Sequence, residues 1–398
     1  MITREQVRDE ILDVNNPRVL CELPTSFGKT KVALDWVNSR IGEPTPLTHI
    51  LVVIPRLVLI DNWKKEFEKW GYGDYLNHVE FVTYVSFPKK VEDTWDAVIF
   101  DEVHHLSERC REFIPALNAN YVIMLSATVN RDIKKELNVL FPDLYTYRVT
   151  TKQAITDEVL PDPKVFLIPL TLDNFRVTHQ IIKNKSQKIE IKVPFAQRFT
   201  YSKVKNRRIV IYCTQQQFYD DMSSMIDWYK RKMYGSEAMK NLFLRKSGER
   251  LKWLSEQKTT YIKHLLDLLD KQRTLTFCNG IPQTAELGKY CINSSKSKTE
   301  NQTNLDKFND GRVNHITACN MLDEGMNLVD CKVGVYAVLN SSERMIKQKL
   351  GRLLRHPDPI IIIPYFKGTR DEELVSKMLE DYNPDLVSTI TNLTDLQL

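Results

Sequence analysis

Short, almost purely apolar runs punctuate the first part of the chain: HILVVIP (49–55), VEFVTYV (79–85), WDAVIFD (95–101) and YVIMLSA (121–127). They predict strands buried on both faces of a parallel sheet, where no polar alternation is needed. Between them the period changes. KVALDWVNSRI (31–41) has apolar residues at 32, 33, 36, 37 and 41, a helical period, and segments such as LIDNWKKEFEKW (59–70) read as helix or loop. Alternating strands and helices predict an α/β architecture. A second unit of the same kind begins near RTLTFCNG (273–280) and runs through VNHITACN (313–320), VGVYAVL (333–339) and PIIIIPYF (359–366). The stretch 153–255 breaks the rhythm. QKIEIKVPFAQRFTYS (187–202) alternates as strands do, and 209–235 turns helical toward its end. LKWLSEQKTTYIKHLLDLLDKQ (251–272) is an amphipathic helix leading into the second unit. The expected layout is a first domain at 1–152, a linker and insert at 153–255, and a second domain at 256–398.

Composition narrows the class. With 42% hydrophobic and 27% charged residues the chain reads as a soluble globular protein. No apolar run approaches the roughly 20 residues of a membrane span, and MITREQVRDEILD lacks a signal-peptide core. The seven cysteines form no C-x-x-C pair, which argues against structural zinc and a disulfide framework and for a reducing, cytoplasmic setting. A net charge of +5 is too small to name a partner. A local bias is clearer: from Arg176 to Arg208 the only acid is Glu190, among Lys183, Lys185, Lys188, Lys192, Arg198, Lys203, Lys205 and Arg207. Such a stripe suits a polyanion, although a solvated basic face is the commoner explanation. Phe195, Phe199, Tyr201 and Tyr212 either stack on bases there or pack a small sheet.

Four stretches carry candidate chemistry. LPTSFGKT (23–30) follows the apolar run VLCEL and opens the helix 31–41, the strand–loop–helix setting of a phosphate-binding loop. Gly28 would let the backbone approach the phosphates, Lys29 would reach the β- and γ-phosphates, and the Thr30 hydroxyl would meet Mg²⁺. Leu23 stands where that motif has its first glycine. WDAVIFD runs into Asp101-Glu102-Val103-His104, where Asp101 suits Mg²⁺ and Glu102 suits a general base; a helix cap with first-turn charge is the alternative. Ser126-Ala127-Thr128 ends another strand, the position at which open α/β sheets place their sites. In QKLGRLLR (348–355), Arg352 and Arg355 share a helix face and could clamp a polyphosphate, or belong to a solvated basic helix.

In this order the stretches resemble the motifs of superfamily 2 helicases and translocases of the DExH type, with a compact plan similar to phage-encoded and recombination-type DNA helicases. LPTSFGKT is similar to motif I, commonly PTGSGKT, in which a missing first glycine is normal; Ser26-Phe27 departs from the usual Gly-Ser. IPRLVLIDNW resembles motif Ia with Pro55 and Arg56, and FVTYVSF resembles motif Ib with Thr83 and Tyr84. DEVH resembles motif II and LTFCNG, ending in Asn279-Gly280, motif IV. ITACNMLDEGMNL resembles motif V, with Gly325 and Asn327 where Gly-x-Asp is common and Cys319 where a threonine is usual. QKLGRLLR resembles motif VI, and Gln6 lies where an adenine-reading glutamine occurs upstream of motif I.

The resemblance covers about 1–150 and 270–370. It implies two RecA-like domains of the P-loop NTPase type, an intervening insert, and ATP with Mg²⁺ in the cleft between them. Gln6, Thr25, Ser26, Phe27, Gly28, Lys29, Thr30, Gly325 and Asn327 would bind nucleotide, and Thr30 and Asp101 would hold Mg²⁺. Lys29, Asp101, Glu102, Gln348, Arg352 and Arg355 would be catalytic, with His104, Ser126 and Thr128 coupling the domains. Pro55, Arg56, Thr83, Tyr84 and Asn279 would contact nucleic acid, joined by Lys183, Lys185, Lys188 and Lys192 if the basic stripe takes part. The expected function is an ATP-dependent DNA helicase or translocase, acting as a monomer away from membranes, in the host cytoplasm if phage-encoded. An RNA helicase and a nucleic-acid clamp with little motor activity are the alternatives.

Overall fold

A computed structural model describes residues 1–173, 197–201, 208–212, 214–319, 328, 331–339 and 355–396. The apolar runs of the first part form a six-stranded sheet. Its strands are β1 (Arg18–Glu22), β2 (Ile50–Ile54), β3 (Val79–Thr83), β4 (Trp95–Asp101), β5 (Ala119–Ser126) and β6 (Tyr145–Arg148). The order is β3-β2-β4-β5-β1-β6 and every pairing is parallel. Successive residues feed opposite faces of the sheet. Val19, Ile99 and Ile123 pack into one core cluster, Leu20, Val98 and Val122 into the other. This order makes β4, β5 and β1 neighbours, so the stretches that follow them converge at one end of the sheet.

The second unit is a seven-stranded parallel sheet. Its strands are β7 (Lys164–Leu170), β10 (Thr274–Cys278), β11 (Cys291–Ile292), β12 (His315–Cys319), β13 (Val333–Tyr336), β14 (Ile360–Phe366) and β15 (Val387–Thr389). The order is β11-β12-β10-β13-β14-β7-β15. Thus β7, which falls in the stretch expected to be insert, lies between β14 and β15 and belongs to the second sheet. Between β7 and β10 come the antiparallel pair β8 (Gln197–Tyr201) and β9 (Arg208–Tyr212), then the packed helices Gln215–Lys232 and Glu237–Gln257.

The helix expected over 251–272 is two helices meeting at Lys258, Glu237–Gln257 and Thr259–Leu268. Lys258 is fully buried; its Nζ lies 2.6 Å from Asp371 Oδ2 and donates to the Ala337 carbonyl at 3.1 Å. A buried ammonium must be paired, and the junction holds Lys258 where both partners can be reached. The basic-stripe residues Lys183, Lys185, Lys188 and Lys192 lie outside the described residues.

Candidate active site

The site begins at the end of β1. After Glu22 the chain runs through Leu23–Gly28 and enters the helix Lys29–Ile41. Gly28 has φ 105°, and the half-buried Ser26 also lies in the left-handed region, at φ 69°. The helix therefore starts with Lys29 and Thr30 at its N-terminus, where backbone N–H groups have no partner within the helix. Phe27, expected to bind nucleotide, turns its ring into the core at 2% exposure and donates its N–H to the Pro24 carbonyl at 3.2 Å.

Next to this loop, β4 ends at Asp101. Glu102 follows at φ 51°, a left-handed conformation that costs a non-glycine residue about 1–2 kcal/mol. It brings the Glu102 carboxylate to Lys29, with Oε1 3.1 Å from Nζ. Glu102 Oε2 lies 3.3 Å from His104 Nδ1, and that nitrogen is 2.9 Å from Ser126 Oγ at the end of β5. Ser126 Oγ donates to the Thr128 carbonyl at 3.0 Å and accepts the Thr128 N–H at 3.3 Å. One contiguous polar chain thus links Lys29, Glu102, His104, Ser126 and Thr128. Burial pushes the Glu102 carboxyl up, but the Lys29 ammonium and His104 outweigh it and hold the group well below the usual carboxylate range.

The second unit reaches the same place. Arg355 Nε donates to Ser26 Oγ at 3.3 Å, bringing this arginine to the phosphate loop. Gln348, Arg352, Gly325 and Asn327 lie outside the described residues. Gln6 is exposed, and its side chain caps its own helix by accepting the Thr3 N–H at 2.9 Å. Pro55 and Arg56 follow β2, Thr83 ends β3 and Asn279 follows β10, all at the C-terminal ends of strands. Tyr84 departs from its expected nucleic-acid role: it is buried at 5% exposure, faces Phe100, and donates its hydroxyl to the Asp101 carbonyl at 2.8 Å.

Three contributors went unread in the sequence. Arg4 Nη2 donates to the Ser26 carbonyl at 3.3 Å, tying the N-terminal helix to the loop. Glu22, buried at the end of β1, accepts the Val129 N–H at 3.2 Å and pairs with Lys134 at 2.7 Å, fixing the stretch after Thr128. Trp63 donates its indole N–H to Asp101 Oδ2 at 2.9 Å. Of these only Glu22 left a signal, a carboxylate ending an otherwise apolar strand.

These residues suit a nucleotide polyphosphate with a divalent cation. The Thr25 hydroxyl is buried at the loop without a hydrogen-bond partner among the described residues. A Cβ built on Gly28 would meet nothing within 4 Å, so the loop surface is open. A lysine, a threonine hydroxyl and two carboxylates are the donor types that phosphates and a hard cation require.

Comparison with known proteins agrees. The family model for DEAD/DEAH box helicase matches residues 4–136, and that for the helicase conserved C-terminal domain matches 257–357. The chain belongs to the superfamily 2 helicases. It is 23% identical over 384 residues to the DNA 3'-5' translocase XPB2 of Sulfurisphaera tokodaii, covering 91% of this chain and 81% of the relative. Among solved structures, this helicase superimposes on a Dbp5 variant of S. cerevisiae bound to RNA and ADP BeF3, with TM-score 0.61 and 10% identity over 98% of this chain and 89% of the other. It also superimposes on the Pyrococcus furiosus Hef helicase domain, with TM-score 0.53 and 14% identity over 94% and 97% of the two chains. The fold is accordingly two RecA-like domains, and the family makes the protein a nucleic-acid-dependent ATPase. Among the described residues no helix is long and apolar enough to cross a membrane.

Proposed function

We propose that this helicase hydrolyses ATP with Mg²⁺ in the cleft between its two sheets and uses the cycle to move along or unwind DNA. The observation that carries the reading is the convergence of Lys29, Glu102, His104 and Ser126 from one sheet with Arg355 from the other. Lys29 and the loop amides would take the phosphates, Thr30 and Asp101 would hold Mg²⁺, and Glu102 would orient the attacking water. Arg355 would complete the site from the second domain, and the motif resemblance gives Gln348, Arg352, Gly325 and Asn327 roles toward the nucleotide. When bound, the cation offsets the charge that builds on the phosphate oxygens.

The Lys29 pair offers a control on basicity. Lys29 lies against Glu102 and holds its carboxyl below the usual range. A polyphosphate that drew the ammonium away would leave only His104 to oppose burial, so the Glu102 carboxyl would become more basic when water must be activated. His104 and Ser126 connect that event to Thr128, and Arg355 connects it to the second domain. The track would be gripped through phosphates by Pro55, Arg56, Thr83 and Asn279, with a contribution from the 183–192 lysines. The similarity to a DNA 3'-5' translocase supports DNA as the track.

The test is ATP turnover without nucleic acid and with single-stranded, duplex or forked DNA, or RNA. Stimulation by DNA above RNA is expected. Stimulation by RNA alone would transfer the reading to an RNA helicase. Nucleic-acid binding without turnover would leave a clamp.

A further inference from the structure

Asp101 is the carboxylate on which the proposed cation site depends, and its side chain is held from outside the family motif that contains it. Trp63, in the helix Ile60–Lys69, donates its indole N–H to Asp101 Oδ2 at 2.9 Å. Trp63 is 3% exposed. Its ring centroid lies 6.2 Å from that of Phe67, which meets Phe81 edge-on at 6.5 Å. Rotating the indole away from Asp101 would open this aromatic cluster. From the other side, the Tyr84 hydroxyl fixes the Asp101 main-chain carbonyl at 2.8 Å.

The choice of donor matters. An indole N–H donates and never accepts, so it fixes the carboxylate in one orientation. It is also neutral. A lysine or arginine in its place would compete with a cation for the same negative charge, whereas the indole leaves that charge intact. Carboxylates that serve metals are commonly held by such outer partners, whose loss costs about 10–100-fold in affinity or activity.

We propose that Trp63 is a positioning residue for divalent-cation binding: it presets the Asp101 carboxylate so that Mg²⁺ enters with the nucleotide at little orientational cost. The proposal rests on the nucleotide–Mg²⁺ reading of the site. The bland alternative is a core tryptophan whose N–H has found the nearest acceptor.

The experiment is binding of a fluorescent ADP analogue as Mg²⁺ is titrated in from EDTA, for the wild type, Trp63→Phe, Asp101→Asn and the double variant. Trp63→Phe keeps the ring and removes the donor. It should raise the Mg²⁺ midpoint about tenfold while leaving the cation-free analogue affinity within about twofold. The shift should be absent in the Asp101→Asn background. Coincident midpoints for wild type and Trp63→Phe would overturn the proposal, as would an equal loss of cation-free binding. A wild type without any Mg²⁺ dependence would overturn the nucleotide–Mg²⁺ reading, and the proposal with it.

Should Trp63→Phe fail to fold, the wild type answers through the indole N–H resonances of its six tryptophans. One that moves on Asp101→Asn substitution should also move when Mg²⁺ joins ADP, but not with ADP alone. No cation-dependent indole shift would overturn the proposal.

Discussion

Two lysine–carboxylate pairs of this helicase have the same chemistry and opposite surroundings. Lys258 and Asp371 lie in the second domain with side chains 0% and 2% exposed, 2.6 Å apart. Each has a further partner: Lys258 donates to the Ala337 carbonyl, and Asp371 accepts the Phe366 N–H. Lys29 and Glu102 lie at the mouth of the phosphate loop, 12% and 17% exposed and 3.1 Å apart. The first pair is shut away and satisfied, so it has nothing to exchange. The second retains access, and under the proposed function its members would trade each other for a phosphate and a water. Accessibility at similar distance separates a pair that holds the fold from one that can do chemistry.

The largest stability effect should come from the closed pair. Lys258→Met leaves the Asp371 carboxylate buried and uncompensated, which should cost about 3–5 kcal/mol. Adding Asp371→Asn removes the stranded charge, keeps an acceptor for the Phe366 N–H, and should recover much of the loss. Denaturant unfolding of both variants checks this. A single variant as stable as the wild type would mean that the pair does not hold the junction between the helices.

At the open pair the order reverses. Lys29→Ala should reduce turnover about 10²–10³-fold, as for loss of a charge-stabilising donor, and cost only about 1–2 kcal/mol of stability. Glu102→Gln should lower turnover about 10²–10⁴-fold while retaining nucleotide binding. The pH dependence has a defined sign. Because the folded Glu102 carboxyl is depressed, its contribution is fully present above the ordinary value of 4.5 and is lost only as pH falls through the lower folded value. The stability difference between wild type and Glu102→Gln should therefore stay flat from neutral pH to about 5 and close below that. A difference that closed near neutral pH would show that the Lys29 pair does not set the carboxyl.

The comparison also explains what the sequence disclosed. Apolar runs buried on both faces are local patterns, and β2, β4, β10 and β14 appear where those runs lie. The loop 23–30 and the DEVH stretch were legible because their chemistry needs fixed residue types close in the chain. Strand order was not: nothing in VFLIPL (165–170) says that it pairs with β14 and β15. The break at Lys258 was hidden because its partner Asp371 lies on a distant segment. Trp63 carries no signal in the sequence, since hydrophobic periodicity reports the ring and is silent about the N–H. The motif resemblance points Tyr84 outward, while the turn after β3 carries it inward to the Asp101 carbonyl.

The smallest effect concerns Ser26, which holds φ 69° where motif I commonly has glycine. A left-handed serine costs about 1–2 kcal/mol, and glycine would relieve it while raising unfolded-chain entropy by about 0.4–1 kcal/mol. Ser26→Gly should therefore stabilise the first domain by up to about 1.6 kcal/mol, the difference of those two terms. The Arg4 contact survives because it uses the Ser26 carbonyl, but the hydroxyl that accepts Arg355 Nε is lost. If that contact belongs only to the resting state, stimulated turnover should stay near the wild-type level as stability rises. A more stable variant with strongly reduced turnover would instead make the serine hydroxyl a working part of the interdomain contact, its strain retained for the arginine it receives. A variant no more stable than the wild type would remove the strain argument and leave the hydroxyl to be judged by turnover alone.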